Sequence, residues 1–471
     1  MNKRVQIFKY ILLDWLAAFL TWGLFYLYRK VYEDPNIFSH IKVIFSDDRF
    51  WLGISLVPIF WLILYVMDGS YRRVYRKSRL KELGQTITTV LIGVVALFFV
   101  LLLDDRINSY TAYYQSVLTL LALQFGFTYT FRLILTTRTV NRVHSKKLGF
   151  NTVIVGSNGN ALQIFNDISR EEISSGNKFI GFVNVQDKSP FKLSPYLPHL
   201  GSYGNLSQVI QKHQIEEVII AIERSEKNTI ERIIYELVDT DVIIKVIPMM
   251  QDIIFGSVKL SGIFHTPLIA ISPDLMPAWQ QSLKRLLDVV ISVLVLILFS
   301  PIYVVTAIGV RLSSRGPILY RQERIGRKGK PFTMYKFRSM IADAEKDGPQ
   351  LSSESDPRIT PFGSFIRKVR LDEIPQFYTV LKGHMSLVGP RPERAFYIEK
   401  IVAKAPHYRL LMKIKPGITS WGQVKFGYAS TVEEMVERLK YDLLYLENMS
   451  LAMDFKIIIY TFLIVFQGRG K

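Results

Sequence analysis

Residues 286–310 read LLDVVISVLVLILFSPIYVVTAIGV and form the longest of five apolar runs in the sequence. A straight helix of this length would extend about 37 Å, enough to cross a hydrocarbon core of about 30 Å. Ser300 and Pro301 interrupt the run, because proline removes a helical hydrogen bond and clashes with the preceding turn. The residues alone leave two structures open: a kinked helix that spans the membrane, and a re-entrant helix that leaves on the side where it entered.

The charges around this run bear on its topology. Basic residues flank both ends, with Lys284 and Arg285 before the run and Arg311 and Arg315 after it. A spanning helix would export one of these basic ends, which the positive-inside rule disfavours.

Four further apolar runs fill the first third of the chain, and each is long enough to span a membrane. They are Ile11–Tyr28, Phe50–Met67, Ile87–Leu103 and Tyr113–Phe131. The loop after the second run and the segment after the fourth are rich in Lys and Arg. The positive-inside rule therefore places both ends of this four-helix bundle in the cytoplasm.

The composition excludes several classes of function. The formal net charge of +19 favours an anionic membrane surface or phosphorylated substrates, and the sequence has no zinc-finger, RNP or basic-zipper pattern that would indicate nucleic-acid binding. Cysteine is absent from the 471 residues, which excludes disulfides, thiolate nucleophiles and cysteine-ligated metals.

Residues 150–260 alternate between short β runs and helical patterns, which predicts a parallel sheet. The predicted strands are Asn151–Val155, Phe179–Val185, Glu217–Ile222 and Val242–Ile247. The turn after the first strand reads G-x-x-G-x-A, which is incomplete as a dinucleotide fingerprint. Two interpretations remain open: a nucleotide-binding crevice, and a Rossmann-like domain kept for assembly or regulation.

The stretch 311–340 holds nine Lys and Arg residues against one acidic residue, Glu323. Such a stretch suits a pyrophosphate or an anionic lipid surface. A solvated basic loop beside a membrane is the other interpretation.

Two acidic residues follow a predicted helix start. Thr360 is a good N-cap and Pro361 a good first helical residue, and the helix delivers Asp372 and Glu373 just before Pro375. One carboxylate could attack phosphorus while the other holds a cation. The spacing also fits ordinary helical ion pairs, Lys368 with Asp372 and Arg370 with Glu373, and by itself favours that interpretation.

The segment Val388-Gly389-Pro390-Arg391-Pro392-Glu393 places an arginine between two prolines. Proline keeps the backbone extended on both sides of Arg391. A planar guanidinium on a stiff strut suits bidentate recognition of phosphate.

Together these motifs resemble the bacterial sugar transferase family, the polyprenyl-phosphate hexose-1-phosphate transferases or monotopic phosphoglycosyl transferases. The whole chain resembles the large form typified by undecaprenyl-phosphate galactose or glucose phosphotransferases. The matching strings are Lys284-Arg285 with Asp288, Ser300-Pro301, Tyr335–Met340, Asp356-Pro357-Arg358, Leu371–Gln376, Met385–Glu393 and Pro416–Thr419.

The resemblance implies an α plus α/β membrane protein in three parts: a four-helix transmembrane bundle (1–148), a Rossmann-like α/β domain (149–265) and a mainly helical catalytic domain (280–471). Within the last part, the resemblance favours re-entry for the helix 286–310, broken at Ser300-Pro301.

The resemblance also implies the reaction. Asp372 would attack the β-phosphate of a UDP-sugar and release UMP, and undecaprenyl phosphate would then take the sugar-phosphate from the aspartyl intermediate. Glu373 would help to hold Mg²⁺, with Mn²⁺ as a substitute. The residues expected near substrate phosphate are Arg367, Arg391, Lys336, Arg338 and Arg358.

The implied setting is the bacterial inner membrane, with the catalytic domain cytoplasmic. The product would start an exopolysaccharide, a capsule or the O-antigen of lipopolysaccharide. Membrane lipids are expected partners, nucleic acid is not, and a homodimer through the Rossmann-like domain is a further expectation. The alternative function is a membrane-anchored nucleotide-sugar dehydratase or epimerase, which would need a complete dinucleotide fingerprint and a Tyr-x-x-x-Lys base. The sequence names neither the sugar nor the polymer.

Overall fold

A computed structural model describes residues 2–33, 45–102, 110–186, 190–222, 227–237, 240–247, 268–271, 275–341, 344, 348, 350, 356–427 and 429–466. The predicted end of the third apolar run at Leu103 and the predicted domain boundaries at 265 and 471 lie outside these residues. The chain divides into two compact units, Met1–Gly149 with Ser169–Asn177, and Phe150–Ile168 with Lys178–Lys471.

The first unit is a helical bundle. Its described helices are α1 (Lys3–Glu33), α2 (Asp48–Met67), α3 (Arg79–Leu97) and α4 (Tyr110–His144). Among the described residues, these four are long and apolar enough to cross a membrane as single helices. The four predicted apolar helices are thus confirmed, although α1, α3 and α4 extend beyond the apolar runs into polar residues at their ends.

A buried ionic network joins the helices of the bundle. Arg132 of α4 donates to both carboxylate oxygens of Asp14 on α1, each at 2.8 Å. Glu82 of α3 accepts from Lys77 at 2.9 Å and lies 3.6 Å from Arg132. The hydroxyl of Tyr71 also donates to Asp14, at 2.9 Å. Since buried charges are tolerated only when paired and hydrogen-bonded, this network ties the segment between α2 and α3 into the bundle.

The second unit begins with a six-stranded sheet of described strands in the order β3-β2-β1-β4-β5-β6. The strands are β1 (Phe150–Val155), β2 (Asn177–Asn184), β3 (His199–Ser202), β4 (Glu217–Ile220), β5 (Ile243–Val246) and β6 (Ile269–Ile271). Pairing is parallel for β1 with β4, β4 with β5 and β2 with β3, and antiparallel for β5 with β6. The predicted parallel α/β sheet is confirmed.

Helices α5 (Gly159–Arg170), α6 (Leu206–His213) and α7 (Lys227–Glu236) accompany this sheet. Two apolar cores form against it, one around Val153 and Val218 and the other around Ile154 and Ile219. This alternation along β1 and β4 shows that both faces of the sheet are covered. Strands β3 and β6 were not among the strands predicted from the sequence.

The rest of the unit is mainly helical. Its helices are α8 (Ala278–Leu298), α9 (Ser300–Ser313), α10 (Pro361–Lys368), α11 (Gln376–Leu381), α12 (Ala395–Lys404), α13 (Trp421–Lys425), α14 (Val432–Glu447) and α15 (Leu451–Phe466). Its strands are β7 (Leu319–Ile325), β8 (Pro331–Phe337), β9 (Ser386–Val388) and β10 (Gly417–Thr419). Strands β7 and β8 form an antiparallel hairpin, so much of the basic stretch 311–340 is regular structure rather than a solvated loop.

Helices α8 and α9 form a bent pair, with an angle of 63° between them. Their outward side chains are apolar and exposed, and include Leu294, Ile297, Val304, Val305 and Ile308. The break falls directly before Ser300, and Pro301 lies in the first turn of α9, where its missing N–H costs little.

Polar side chains of α8 attach it to other elements of the unit. The buried carboxylate of Asp288 accepts from the backbone N–H of Leu387 at 3.0 Å, and Lys284 donates to the carbonyl of Val388 at 2.9 Å. Arg285 donates to the carbonyls of Val380 and Leu381, at the end of α11. Through these bonds α8 positions both β9 and α11.

Helix α9 packs against α10 at close range. A Cβ atom on Gly309 would lie 2.3 Å from the ring of Phe362, so only glycine allows this approach. The hydroxyl of Tyr303 donates to the carbonyl of Ile374 at 2.9 Å, and Arg338 donates to the carbonyl of Ser314 at 2.6 Å, just past the helix end.

The ionic network of the bundle yields a first prediction. Arg132→Met should lower the free energy of unfolding by about 3–5 kcal/mol, because Asp14 would stay buried without its bidentate partner. Thermal unfolding in detergent micelles, followed by circular dichroism, measures the effect. The matched control is Arg138→Met, an exposed position on the same helix. Equal stability of the two variants would contradict a stabilising role for the network.

Candidate active site

Helix α10 leads to the acidic pair Asp372 and Glu373. It begins as the sequence predicts, because the Thr360 hydroxyl accepts from the backbone N–H of Gly363 at 2.9 Å. It ends at Lys368, earlier than a helix reaching the acidic pair would require. Arg370 then adopts a left-handed backbone with φ 59° and ψ 20°. The interpretation of Lys368 and Asp372 as a helical ion pair is therefore wrong, since the helix stops between them.

A single 3-10 turn, Leu371–Glu373, presents the two carboxylates. The Oε1 atom of Glu373 accepts from Lys336 of β8 at 2.8 Å and lies 3.6 Å from Arg370. Asp372 is 6% exposed, and its Oδ1 atom has no hydrogen-bond partner among the described residues. One carboxylate is thus neutralised by cations, while its neighbour keeps a buried oxygen atom that accepts no hydrogen bond from the described residues.

The pKa values of the two carboxyl groups shift in opposite directions, in agreement with their different hydrogen bonding. Burial, together with the neighbouring charge of Glu373, raises the pKa of Asp372 to about 6, although Lys336, Arg370 and Arg367 oppose this. Burial also disfavours the charge on Glu373, but Lys336, Arg370 and Arg391 outweigh it and hold its pKa well below the usual range. Of the two groups, Glu373 therefore carries the more firmly held charge.

A second ionic cluster surrounds Glu393, at the end of the segment that contains Arg391. The Glu393 carboxylate accepts from Arg438 of α14 at 2.7 Å and lies 3.5 Å from Arg324 and 3.9 Å from Arg391. Arg324 belongs to the basic stretch 311–340, whereas no sequence motif pointed to Arg438. Glu393 was part of the quoted motif, but Arg438 lies in a charged helical pattern that resembles a solvated face and is in fact buried.

The predicted phosphate-binding residues fall into two groups. Lys336, Arg367 and Arg391 all act electrostatically on the acidic pair. Arg338 is directed at Ser314, and Arg358 pairs with both oxygens of Asp356 at 2.8 and 2.6 Å. The structure therefore gathers the first group at Asp372 and Glu373 and bonds the other two elsewhere, and phosphate binding by any of them stays a prediction.

Comparison with known proteins decides the family. A bacterial sugar transferase domain matches residues 279–468. A UDP-glucose:undecaprenyl-phosphate glucose-1-phosphate transferase of Klebsiella pneumoniae is 30% identical over 450 residues, covering 92% of this chain and 94% of that protein. The chain belongs to the bacterial sugar transferase family. This confirms the family recognised from the sequence motifs and the enzyme class, a sugar-1-phosphate transferase.

Other relatives match this transferase over part of their length. A UDP-N-acetylgalactosamine-undecaprenyl-phosphate N-acetylgalactosaminephosphotransferase of Aeromonas hydrophila is 36% identical over 48% of this chain and 52% of its own. A UDP-glucose:undecaprenyl-phosphate glucose-1-phosphate transferase of Escherichia coli is 36% identical over 56% of this chain and 58% of its own. The chain thus spans just over half the length of these two relatives.

A CoA-binding domain matches residues 67–248 of the transferase. This range includes helices α3 and α4 as well as most of the six-stranded sheet. It therefore starts well before the predicted boundary at residue 149.

The left-handed Arg370 yields a second prediction. Arg370→Gly and Arg370→Val both remove the guanidinium, but only glycine adopts this backbone without strain. The valine variant should be about 1–2 kcal/mol less stable than the glycine variant, because a β-branched side chain clashes in the left-handed region. Thermal unfolding in the same micelles measures the difference. Identical midpoints would show that the turn before Asp372 does not depend on this conformation.

Proposed function

We propose that the transferase moves a hexose-1-phosphate from a UDP-sugar to undecaprenyl phosphate, giving undecaprenyl-diphospho-sugar and UMP. The names of the relatives support these substrates, since they combine undecaprenyl phosphate with UDP-glucose or UDP-N-acetylgalactosamine. The product would initiate an exopolysaccharide, a capsule or the O-antigen of lipopolysaccharide.

The observation that carries the proposal is the asymmetry between Asp372 and Glu373. A nucleophilic oxygen atom should not be held by a hydrogen-bond donor, and Oδ1 of Asp372 has no hydrogen-bond partner among the described residues. Glu373 is instead held by Lys336 and Arg370. Asp372 is therefore the better candidate for attack, and Glu373 for holding charge in place.

The reaction would proceed in two displacements at one phosphorus atom. A carboxylate oxygen of Asp372 bonds to the β-phosphorus of the UDP-sugar, and the bond from that phosphorus to the bridging oxygen breaks, releasing UMP. A phosphate oxygen of undecaprenyl phosphate then bonds to the same phosphorus and releases the Asp372 carboxylate. The negative charge that develops on the phosphate oxygens would be stabilised by the cations near the acidic pair, Arg367, Arg391 and Lys336.

This mechanism yields a third prediction. Wild-type protein with undecaprenyl phosphate should release UMP from at least one UDP-sugar of a panel, and the sugar-phosphate should label the protein. Asp372→Asn should abolish both, because the amide is a poor nucleophile. The control is Asp241→Asn, which changes a carboxylate that is 86% exposed and pairs with Lys328. Near-wild-type UMP release by Asp372→Asn would exclude the covalent mechanism.

The bent pair α8 and α9 is proposed to be a re-entrant membrane helix. Both of its ends are bonded to the part of the second compact unit that holds the acidic pair. Arg285 donates to carbonyls at the end of α11, and Ser314 accepts from Arg338, in the loop after β8. Ends that attach to one compact unit lie on one side of a membrane. This supports a cytoplasmic catalytic domain at the inner membrane, where a soluble UDP-sugar and the phosphate of a membrane lipid can meet.

The topology yields a fourth prediction, which the absence of native cysteine makes clean to test. Single cysteines at Gln281 and Ser313 should both react with an impermeant maleimide only from the cytoplasmic side. Combining the Ser313 cysteine with Ser300→Ala and Pro301→Leu should favour a straight, spanning helix and periplasmic labelling. Periplasmic labelling of the Ser313 site without these two changes would exclude re-entry.

The six-stranded sheet is proposed to form a Rossmann-like domain, near 149–265, that takes no part in the chemistry. Gly156 has φ +131°, and a Cβ there would lie 2.2 Å from the carbonyl oxygen of Ala221. At the end of β2, Asn184 bonds to His199 at 2.8 Å, so the position at which dinucleotide sites use an acidic residue holds a paired amide. The glycine supports a Rossmann-like turn, and the paired amide favours the transferase over a dehydratase or epimerase.

A further inference from the structure

Glu373, the residue expected to help hold Mg²⁺, already has a cation in the described structure. The Lys336 ammonium donates to its Oε1 atom at 2.8 Å, and a guanidinium nitrogen of Arg370 lies 3.6 Å from the same atom. The Glu373 side chain is only 13% exposed. A second, divalent cation at this oxygen atom would have to displace the ammonium.

The surrounding residues do not fit a preformed site for a divalent cation. Mg²⁺ prefers six oxygen ligands and usually takes one or two from carboxylates and others from substrate phosphate. Within the described part of the chain, no cluster of three or more His, Cys, Asp or Glu side chains is placed to bind a metal. Four cations act on the two carboxylates, namely Lys336, Arg367, Arg370 and Arg391, so the local charge repels a bare dication.

We propose that Lys336 is the resting counter-ion of Glu373, and that a divalent cation binds this site only together with a pyrophosphate-bearing nucleotide. This inference rests on the proposed function, which supplies such a nucleotide as the donor. The pyrophosphate contributes oxygen ligands that the protein lacks. Its negative charge also offsets the excess of cations and gives the Lys336 ammonium a second anion to contact.

Lys336 is the cation suited to this exchange. It donates directly to Glu373 at 2.8 Å and ends in a compact charge on a flexible stem, whereas Arg370 lies 3.6 Å from the same oxygen atom. The Lys336 ammonium would pair with the Glu373 carboxylate before the nucleotide binds and with a phosphate group afterwards, so it keeps an anionic partner in both states. The enzyme would thereby reject free divalent cations and accept them with the donor.

The test measures binding of Mn²⁺ to the full-length protein in phosphatidylcholine nanodiscs, which lack anionic lipid that would bind the metal. Water-proton relaxation enhancement reports Mn²⁺ immobilised on the protein. Wild-type protein should bind Mn²⁺ at least about ten-fold more tightly with UDP than without it. Lys336→Gln should bind Mn²⁺ without UDP at least about ten-fold more tightly than wild type, because the competing cation is gone.

The matched control is Lys382→Gln, which removes one positive charge from the same unit. Its ammonium lies over the rings of Tyr378 and Tyr335, at 4.6 and 5.5 Å, and it should behave as wild type. Equally tight binding of Mn²⁺ to wild type with and without UDP overturns the inference, as does equal binding by the Lys336 and Lys382 variants. The comparison of wild-type protein with and without UDP tests the inference even if a variant does not fold.

UMP release, measured on the same preparation, separates this inference from the proposed function. Protein that releases UMP but binds Mn²⁺ as tightly without UDP as with it keeps the proposed function and overturns the inference. Protein that releases no UMP from any UDP-sugar contradicts the function itself.

Discussion

The arrangement around the candidate site depends on one hydrogen bond, which a backbone N–H donates to a buried carboxylate on the hydrophobic helix α8. Asp288 lies at the start of the apolar run of α8, and its carboxylate is buried and accepts from the backbone N–H of Leu387. Because a buried charge without a partner is costly, α8 cannot move away from β9. That strand continues directly into the segment that contains Arg391. The helix proposed to enter the membrane therefore also positions an arginine of the candidate site.

The acidic pair shows how adjacent residues of similar chemistry acquire different properties. Asp372 and Glu373 share a single turn, yet one is dominated by burial and the other by nearby cations. The helix ends at Lys368, Arg370 then adopts a left-handed backbone, and the two carboxylates follow on a separate 3-10 turn.

Sequence patterns predicted the parts of the structure that depend on local chemistry. Apolar runs located the four bundle helices, alternation located the main strands, and Thr360 with Pro361 located the start of α10. The hairpin β7–β8 was missed because β7 is dense in charge and lies within the basic stretch 311–340. Pairings between distant residues, such as Asp14 with Arg132, were also missed. Such pairings join side chains 118 residues apart, and hydrophobic periodicity contains no information about them.

Gly309 separates the requirements on the two faces of α9, one exposed and apolar and the other packed against α10. The outer face of α9 carries exposed apolar side chains, while its inner face contacts α10 at Gly309, where a Cβ atom would clash with Phe362. Residues on the outer face can change with lipid thickness or composition and leave the acidic pair undisturbed. Variation at position 309 would instead alter the distance between the helix and the site. Substitutions that suit a different membrane are thus tolerated on the outer face of α9, whereas a substitution at Gly309 on the inner face is not.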